Sequence, residues 1–491
     1  MSRFSHLAPW FILSSAALNV IFLGGKRRAF GVFVAQLRDE FNATSLAELN
    51  WIGDSYAAIG YLTTTLSTSL ILKLGRRYGL FQFAGACFVL FACVSSAYVP
   101  NPHWLFLTHT VLHGIGSSLI LSTAGLVVNE HFDKSHRYHI LATTLVSGGS
   151  VASIVFVQFY AFLVESYGWR HAMIILGVVY FFVIASASLV FRKSVQTTGV
   201  SEGRLVHSWR EHLVGRQIPL LVLWTVDRII TSIVTYGMLL NLTDFMHRIE
   251  PSLTKSAVLT TLFASGEAST YLLGAMTTGL TKNLLKNRLK YILIVTTLLM
   301  SASLAAWEAW ASNLLMSHIL AYICGFCLGP SITFLFPAGE EMTRLPGHLA
   351  YPFSLGGMGL GMSLSPLLSA LIAQIFLYKW FFLVQAGLMA IKLICLLVAT
   401  FILHTFDRAN FILPTQVSPE HVGYHRASGI SGEHRENPLI SSGTDVCDAG
   451  IKASKPTQLP FNLKYSFFSG CTGKLRWSAN AGRLMSDDVE K

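Results

Sequence analysis

Apolar residues in this chain fall in long continuous stretches, not in the alternating or one-faced patterns of water-soluble strands and helices. A bilayer core of roughly 30 Å is crossed by about 20 helical residues. Stretches of that length run over approximately 8–36, 49–72, 79–99, 104–128, 140–163 and 171–191, and again over 217–240, 256–280, 290–311, 315–336, 348–376 and 380–403. The pattern predicts an all-α integral membrane protein with twelve transmembrane helices, because helices satisfy their own backbone groups in lipid. Between the two sets lies a charged segment without a hydrophobic period, and the C-terminal part is polar and irregular. The expected organisation is therefore a six-helix bundle over 1–191, a linker over 192–216, a second six-helix bundle over 217–403 and a disordered tail over 404–491.

Composition points the same way. Of 491 residues, 52% are hydrophobic and 12% charged, with a mean hydropathy of +0.53, whereas soluble domains carry about 25% charged residues. Met1–His6 carries only Arg3 as a cation and no cleavage site follows, so the first stretch is expected to remain as a span. Seven cysteines suggest no disulfide frame; Cys324 and Cys327 form half a zinc pattern without a second pair, and read as buried structural residues.

A net charge of +11 raises the question of nucleic acid. The cations, however, sit in short loops between apolar stretches, so no nucleic-acid partner is expected. Loops after the second, fourth, sixth, eighth and tenth stretches hold fifteen Lys and Arg, from Lys73, Arg76 and Arg77 to Arg344; the opposite loops hold five, Arg38, Arg170, Arg248, Lys255 and Lys379. This bias places both termini and the linker in the cytoplasm. The basic loop Lys73-Leu-Gly-Arg-Arg-Tyr-Gly79 has a counterpart at Lys282–Lys290. Two six-helix halves of this kind describe a carrier whose solute site lies near the midplane between them.

Several segments carry a resemblance. They are Arg28-Ala-Phe-Gly-Val-Phe-Val34 leading to Trp51-Ile52, and His131-Phe132-Asp-Lys134 with Arg137 and Ser147-Gly-Gly-Ser150. Tyr167-Gly-Trp-Arg170, Asp244-Phe245 and the Gly-rich Leu355–Gly361 follow in order. Together, over about residues 8–403, they resemble the monocarboxylate transporter family of the major facilitator superfamily. The resemblance implies a secondary carrier of small organic anions, working by alternating access in the plasma membrane, with a single-span glycoprotein as a candidate chaperone. Two family features are missing: the acidic-Gly-Gly-Trp pattern of the first helix, of which only Trp10 remains, and the acid-then-Arg turn of helix eight, where Glu267 is followed by Tyr271.

Ionisable residues in a bilayer cost about 2.5–3.5 kcal/mol each on insertion scales, which marks them as candidates for function. Glu267, Asp227 and Arg228 are expected about 16 Å deep in the second half, at 1.5 Å per helical residue. Arg228, standing in for the missing Arg, is expected to bind a solute carboxylate, with Tyr271 nearby; Glu267 or Asp227 would hold it and take a proton. Adjacent Asp227 and Arg228 are expected to point in different directions. Arg28 takes the place of the family's first-helix Lys and is the candidate for anion attraction, with Asp54 as its partner. Lys26 and Arg27 read as cations snorkelling to the outer interface. Arg76 and Arg77 are candidates for holding one conformation of the cycle. His113 reads as a structural histidine or as a titrating one, and Lys392 as a snorkelling or locally paired lysine. No phosphate-binding loop, zinc motif or nucleophile triad is present, so no cofactor, metal or enzymatic activity is expected. The expected function is transport of a small organic anion, with or without proton coupling. The alternatives are a facilitative carrier of a neutral or zwitterionic solute and a non-transporting membrane receptor or scaffold.

Overall fold

The computed structural model describes residues 7–41, 46–149, 151, 155–192, 217–247, 253–281, 284–375 and 377–412. Among the described residues the regular structure is helical: α1 (Ala8–Glu40), α2 (Leu46–Leu62), α3 (Thr64–Lys73), α4 (Tyr78–Ala97), α5 (His103–Leu105), a π-helical segment (Phe106–Val111), α6 (Leu112–His131), α7 (His139–Gly148), α8 (Val155–Val190), α9 (Gln217–His247), α10 (Leu253–Thr281), α11 (Leu289–Trp310), α12 (Leu314–Thr333), α13 (Leu335–Thr343), α14 (Gly347–Ile375) and α15 (Leu377–Ile412).

These elements make the twelve crossings, several of them in two pieces. The second is α2 and α3, parted at Thr63, whose Oγ1 donates to the Ile59 carbonyl at 2.7 Å; back-bonding of this kind bends helices. The fourth is α5, the π segment and α6. The tenth is α12 and α13, parted after Pro330, which removes a helical donor. Helix α8 is two crossings in series, because Gly168 at φ 73°, ψ 159° turns the chain between them; a side chain would strain that backbone.

Several helix ends lie beyond the sequence expectation. Among them, α1 continues to Glu40, α9 to His247 and α15 to Ile412, since none of the residues added there is a glycine or proline. The first nine residues assigned to the tail are therefore helical. The rest of it, and all of the linker except Arg192, lie outside the described residues.

Eight of the described helices are apolar and long enough to cross a membrane. The crossings that fall short of that measure are α2 with α3, α7 with the start of α8, α10 and α14. Those same helices meet between the halves: α14 packs on α2 and α3, and α7 packs on α10, α12 and α13. The pieces α2, α3 and α7 are individually too short to meet that measure; α10 and α14 are long enough, and a helix flanked by protein on several sides need not be apolar all round. Outward positions such as Phe91, Phe182, Leu189, Leu280 and Phe401 are mostly exposed, as a lipid-facing surface requires.

Candidate functional site

The C-terminal half carries a closed ionic cluster. Asp227 and Arg228 on α9 are almost fully buried. Their Cβ directions diverge, yet the long Arg228 side chain folds back, and Nε donates to Asp227 Oδ2 at 2.6 Å. Nη2 bonds the same oxygen, and Nη1 donates to the Ser331 carbonyl of α12 at 2.5 Å. The guanidinium also stacks over Trp224 at 4.0 Å, which in turn donates to Ser354 on α14 at 2.7 Å. Lys392, from α15, is fully buried rather than snorkelled. It donates to Thr231 Oγ1 at 2.8 Å and Ser331 Oγ at 2.7 Å, with Asp227 Oδ1 at 3.8 Å. The sequence reading expected the neighbours Asp227 and Arg228 to diverge; side-chain length overcomes the 100° offset. Glu267, on α10, is also fully buried.

In the N-terminal half, α1 is about 50 Å long at 1.5 Å per residue, so Lys26 and Arg27 fall just past its middle and not at its outer end. Both turn inward, contrary to the expected snorkelling. Arg27 lines a pocket on the inner face of this half with Tyr56, Tyr61, Ser117, Val20 and Leu23, a cavity of about 20 Å³, roughly the room one water needs. Its Nη1 donates to Tyr61 Oη at 2.9 Å. Its guanidinium lies 5.1 Å from the ring of Tyr236, on α9 of the other half, and its Nε has no hydrogen-bond partner among the described residues. Lys26, fully buried, points instead to Cys93 Sγ at 3.1 Å and the Tyr56 ring at 5.9 Å. The side chains of Arg28 and Asp54 lie outside the described residues.

On the side that the charge bias assigns to the cytoplasm, the halves are joined. His139 Nε2 meets Glu340 Oε2 at 2.6 Å, while Lys134 donates to the Leu345 carbonyl at 3.0 Å. Ser147 Oγ donates to the Thr333 carbonyl at 2.6 Å. Tyr271, read from the sequence as a solute contact, belongs to this junction: its hydroxyl donates to the Leu145 carbonyl at 3.2 Å. Its ring covers Gly148 so closely that a Cβ there would come within 2.3 Å. In the basic loop, Gly75 and Arg76 take positive φ values of 78° and 54°, and Arg76 Nη1 pairs with Glu130 at the end of α6 at 3.0 Å. Arg77 is exposed.

Arg27 was thus missed as a pocket residue, as was His109 beside His113. The signal for the second was in the sequence: two histidines four apart share one helix face. Nothing in the sequence distinguished Arg27 from its neighbours, since the rotation of α1 decides which of three consecutive cations faces the pocket.

Comparisons with known proteins agree with this architecture. The family model described as Major Facilitator Superfamily matches residues 16–350. Human monocarboxylate transporter 14 is 28% identical over 180 residues, 35% of this chain and 32% of that protein. Chicken monocarboxylate transporter 9 is 24% identical over 186 residues, 37% and 35% of the two chains. The aligned segment thus spans about a third of the relatives' length. Among solved structures, the proton:xylose symporter XylE bound to 6-bromo-6-deoxy-D-glucose superposes with a TM-score of 0.56 at 14% identity, covering 81% of this chain and 95% of that one. Twelve helical crossings in two bundles, together with a family match across two thirds of its length, make this chain a member of the major facilitator superfamily.

Proposed function

We propose that this protein is a secondary transporter of a small organic anion of the monocarboxylate class, coupled to protons and working by alternating access in the plasma membrane. Arg27 carries the reading. A planar guanidinium facing a pocket matches a carboxylate with two parallel hydrogen bonds, and its unpartnered Nε–H is a donor available for one. Tyr56 and Tyr61 give that pocket an aromatic wall, and Tyr236 supplies a contact from the opposite half. Alternation of the two halves would make and break that contact. Arg228 keeps a supporting role in this reading, because its donors are engaged by Asp227 and Ser331. The test is uptake of radiolabelled L-lactate and related monocarboxylates into proteoliposomes, with and without an inward proton gradient. Saturable uptake raised by the gradient, with an apparent affinity that falls in Arg27→Gln, is expected. Saturable uptake indifferent to the gradient would favour the facilitative carrier, which the absence of an Arg beside Glu267 on α10 supports. No uptake by folded, inserted protein would remove the anion reading.

A further inference from the structure

Behind the pocket lies a second group of polar side chains. His109, on the π-helical segment, and His113, on α6, are fully buried, with ring centroids 5.7 Å apart. Tyr56 stands edge-on to both, at 5.0 Å from His109 and 4.6 Å from His113. Phe30 of α1 stacks on His109 at 4.8 Å. Among the described residues, four polar atoms here have no hydrogen-bond partner: both ring nitrogens of His109, Nε2 of His113 and the Tyr56 hydroxyl. Burying such atoms without partners lowers stability, and apolar side chains of similar size would fill the space better. Packing therefore does not account for them. The π-helical segment is an independent sign, because such turns recur at functional sites, and this one carries His109 into the cluster.

The cluster touches the pocket. Tyr56 and Ser117 line it, and Ser117 Oγ is 3.0 Å from His113 Nδ1. We propose that His113, backed by His109 and Lys26, is a proton-binding site in the N-terminal bundle, loaded from the pocket through Ser117. A hydroxyl can accept a proton from water on one side and release its own on the other. The step is therefore a transfer of one proton from a hydronium ion in the pocket, which is left as water, to Ser117 Oγ as the Ser117 proton passes to His113 Nδ1, leaving an imidazolium and a neutral serine.

The groups around His113 set when that happens. Lys26 and Arg27 come from α1, Tyr56 and Tyr61 from α2, Cys93 from α4, His109 from the π-helical segment, Tyr160 and Tyr180 from α8, and Tyr236 from α9. The side chain of Asp54 lies outside the described residues. An imidazolium would join two buried cations of α1, an arrangement disfavoured by like charge. A carboxylate on Arg27 offsets that charge, so anion and proton favour each other's entry in a one-to-one, electroneutral load. This coupling rests on the anion reading of the pocket, whereas the proton site itself does not.

The experiment has two arms, both on the full chain. In proteoliposomes, His113→Gln and His109→Gln are compared with the native protein for L-lactate uptake driven by an inward proton gradient and for exchange at equal pH. Glutamine keeps volume and hydrogen bonding but cannot bind the proton. Stimulation by the gradient should fall about tenfold, within the range of coupling between linked sites, and by more than exchange falls. Gradient stimulation that survives in folded His113→Gln overturns the proposal. In the second arm, histidine-labelled protein in detergent is followed by NMR from pH 5 to 9, with the His113 signals identified by their loss in His113→Gln. Ring signals that move with pH, and whose midpoint rises on adding L-lactate, support the site; signals that stay fixed overturn it. If the native protein takes up no lactate, the transport reading fails, and movement or fixity of the ring signals still decides the proton site.

Discussion

The two halves of this protein bury cations in opposite ways. In the C-terminal half, Arg228 and Lys392 share Asp227, and their remaining donors reach Ser331 and Thr231. In the N-terminal half, Lys26 has a thiol and a ring face, while among the described residues Arg27 keeps a donor without a partner and two histidines leave three ring nitrogens unpaired. Asp227 Oδ1 has only the ion pair with Lys392 and no hydrogen bond among the described residues, so the difference is one of degree: a more fully bonded buried network fixes one packing, and a less bonded one is free to respond to a ligand. Under the proposed function the contrast gives architecture to the Asp227 cluster and chemistry to the Lys26–His113 cluster, although midplane depth and charge look alike in the sequence.

The largest effect expected is on stability. Asp227→Asn would leave Arg228 and Lys392 buried without their anion, which costs about 3–5 kcal/mol for a broken buried pair. His109→Phe removes two unpaired nitrogens whose burial costs about 1–3 kcal/mol each, and should leave stability equal or higher. Thermal melting of both variants in one detergent measures the comparison. If Asp227→Asn melts like the native protein, the C-terminal cluster is not what holds that half together.

Next comes affinity. Arg27→Lys keeps the charge but loses the fork, and loss of a charge-assisted hydrogen bond worth about 1.5–3 kcal/mol should raise the apparent KM for L-lactate by about tenfold or more, with a smaller change in maximal rate. The same substitution at Arg228 should act mainly on melting. An Arg228→Lys variant whose KM rises while its melting is native would reverse the roles of the halves.

A smaller effect belongs to the junction between them. His139→Gln weakens the contact with Glu340, which stands at 2.6 Å and is backed by Lys134 at 3.9 Å. The joined arrangement should lose about 1 kcal/mol, the net worth of an ordinary hydrogen bond. A cysteine replacing Ser147, beneath the Thr333 contact, should then react severalfold faster with a water-soluble maleimide than it does with His139 in place.

Much of the fold was legible in the sequence because lipid imposes a simple rule on length and polarity. All twelve crossings follow from it, and three ends that moved, at Glu40, His247 and Ile412, did so where no helix breaker intervened. The sites were less legible because they depend on rotation about each helix. Lys26, Arg27 and Arg28 are equivalent as letters, yet the first two face different surroundings. Lys392 looked peripheral, and only packing of α15 against α9 brought it to Asp227. Tyr271 has the polarity of a solute contact, but the close approach of α7 at Gly148 makes it a seal.

The smallest effect provides a scale for the others, since it comes from a pair that water reaches. Arg170 joins Glu40 at 2.7 Å, with the two side chains 36% and 40% exposed, and Trp169 also donates to the carboxylate. Partial burial opposes ionisation, yet the hydrogen bonds from Arg170 and Trp169 outweigh it and hold the Glu40 carboxyl below the usual glutamate range. A depressed folded value means that the pair's contribution is complete above the unfolded pKa and fades as pH falls through the folded one. Solvent screening limits that contribution to about 0.2–1 kcal/mol, so Glu40→Gln should lower the melting temperature slightly at neutral pH and converge on the native protein in acid. Arg170 also donates to the carbonyls of Ala97 at 2.6 Å and Val99 at 3.2 Å, so Arg170→Gln should cost more than Glu40→Gln. If instead Glu40→Gln destabilises as strongly as Asp227→Asn, burial is not what separates architectural charges from ornamental ones in this fold, and the contrast between the halves would need another cause.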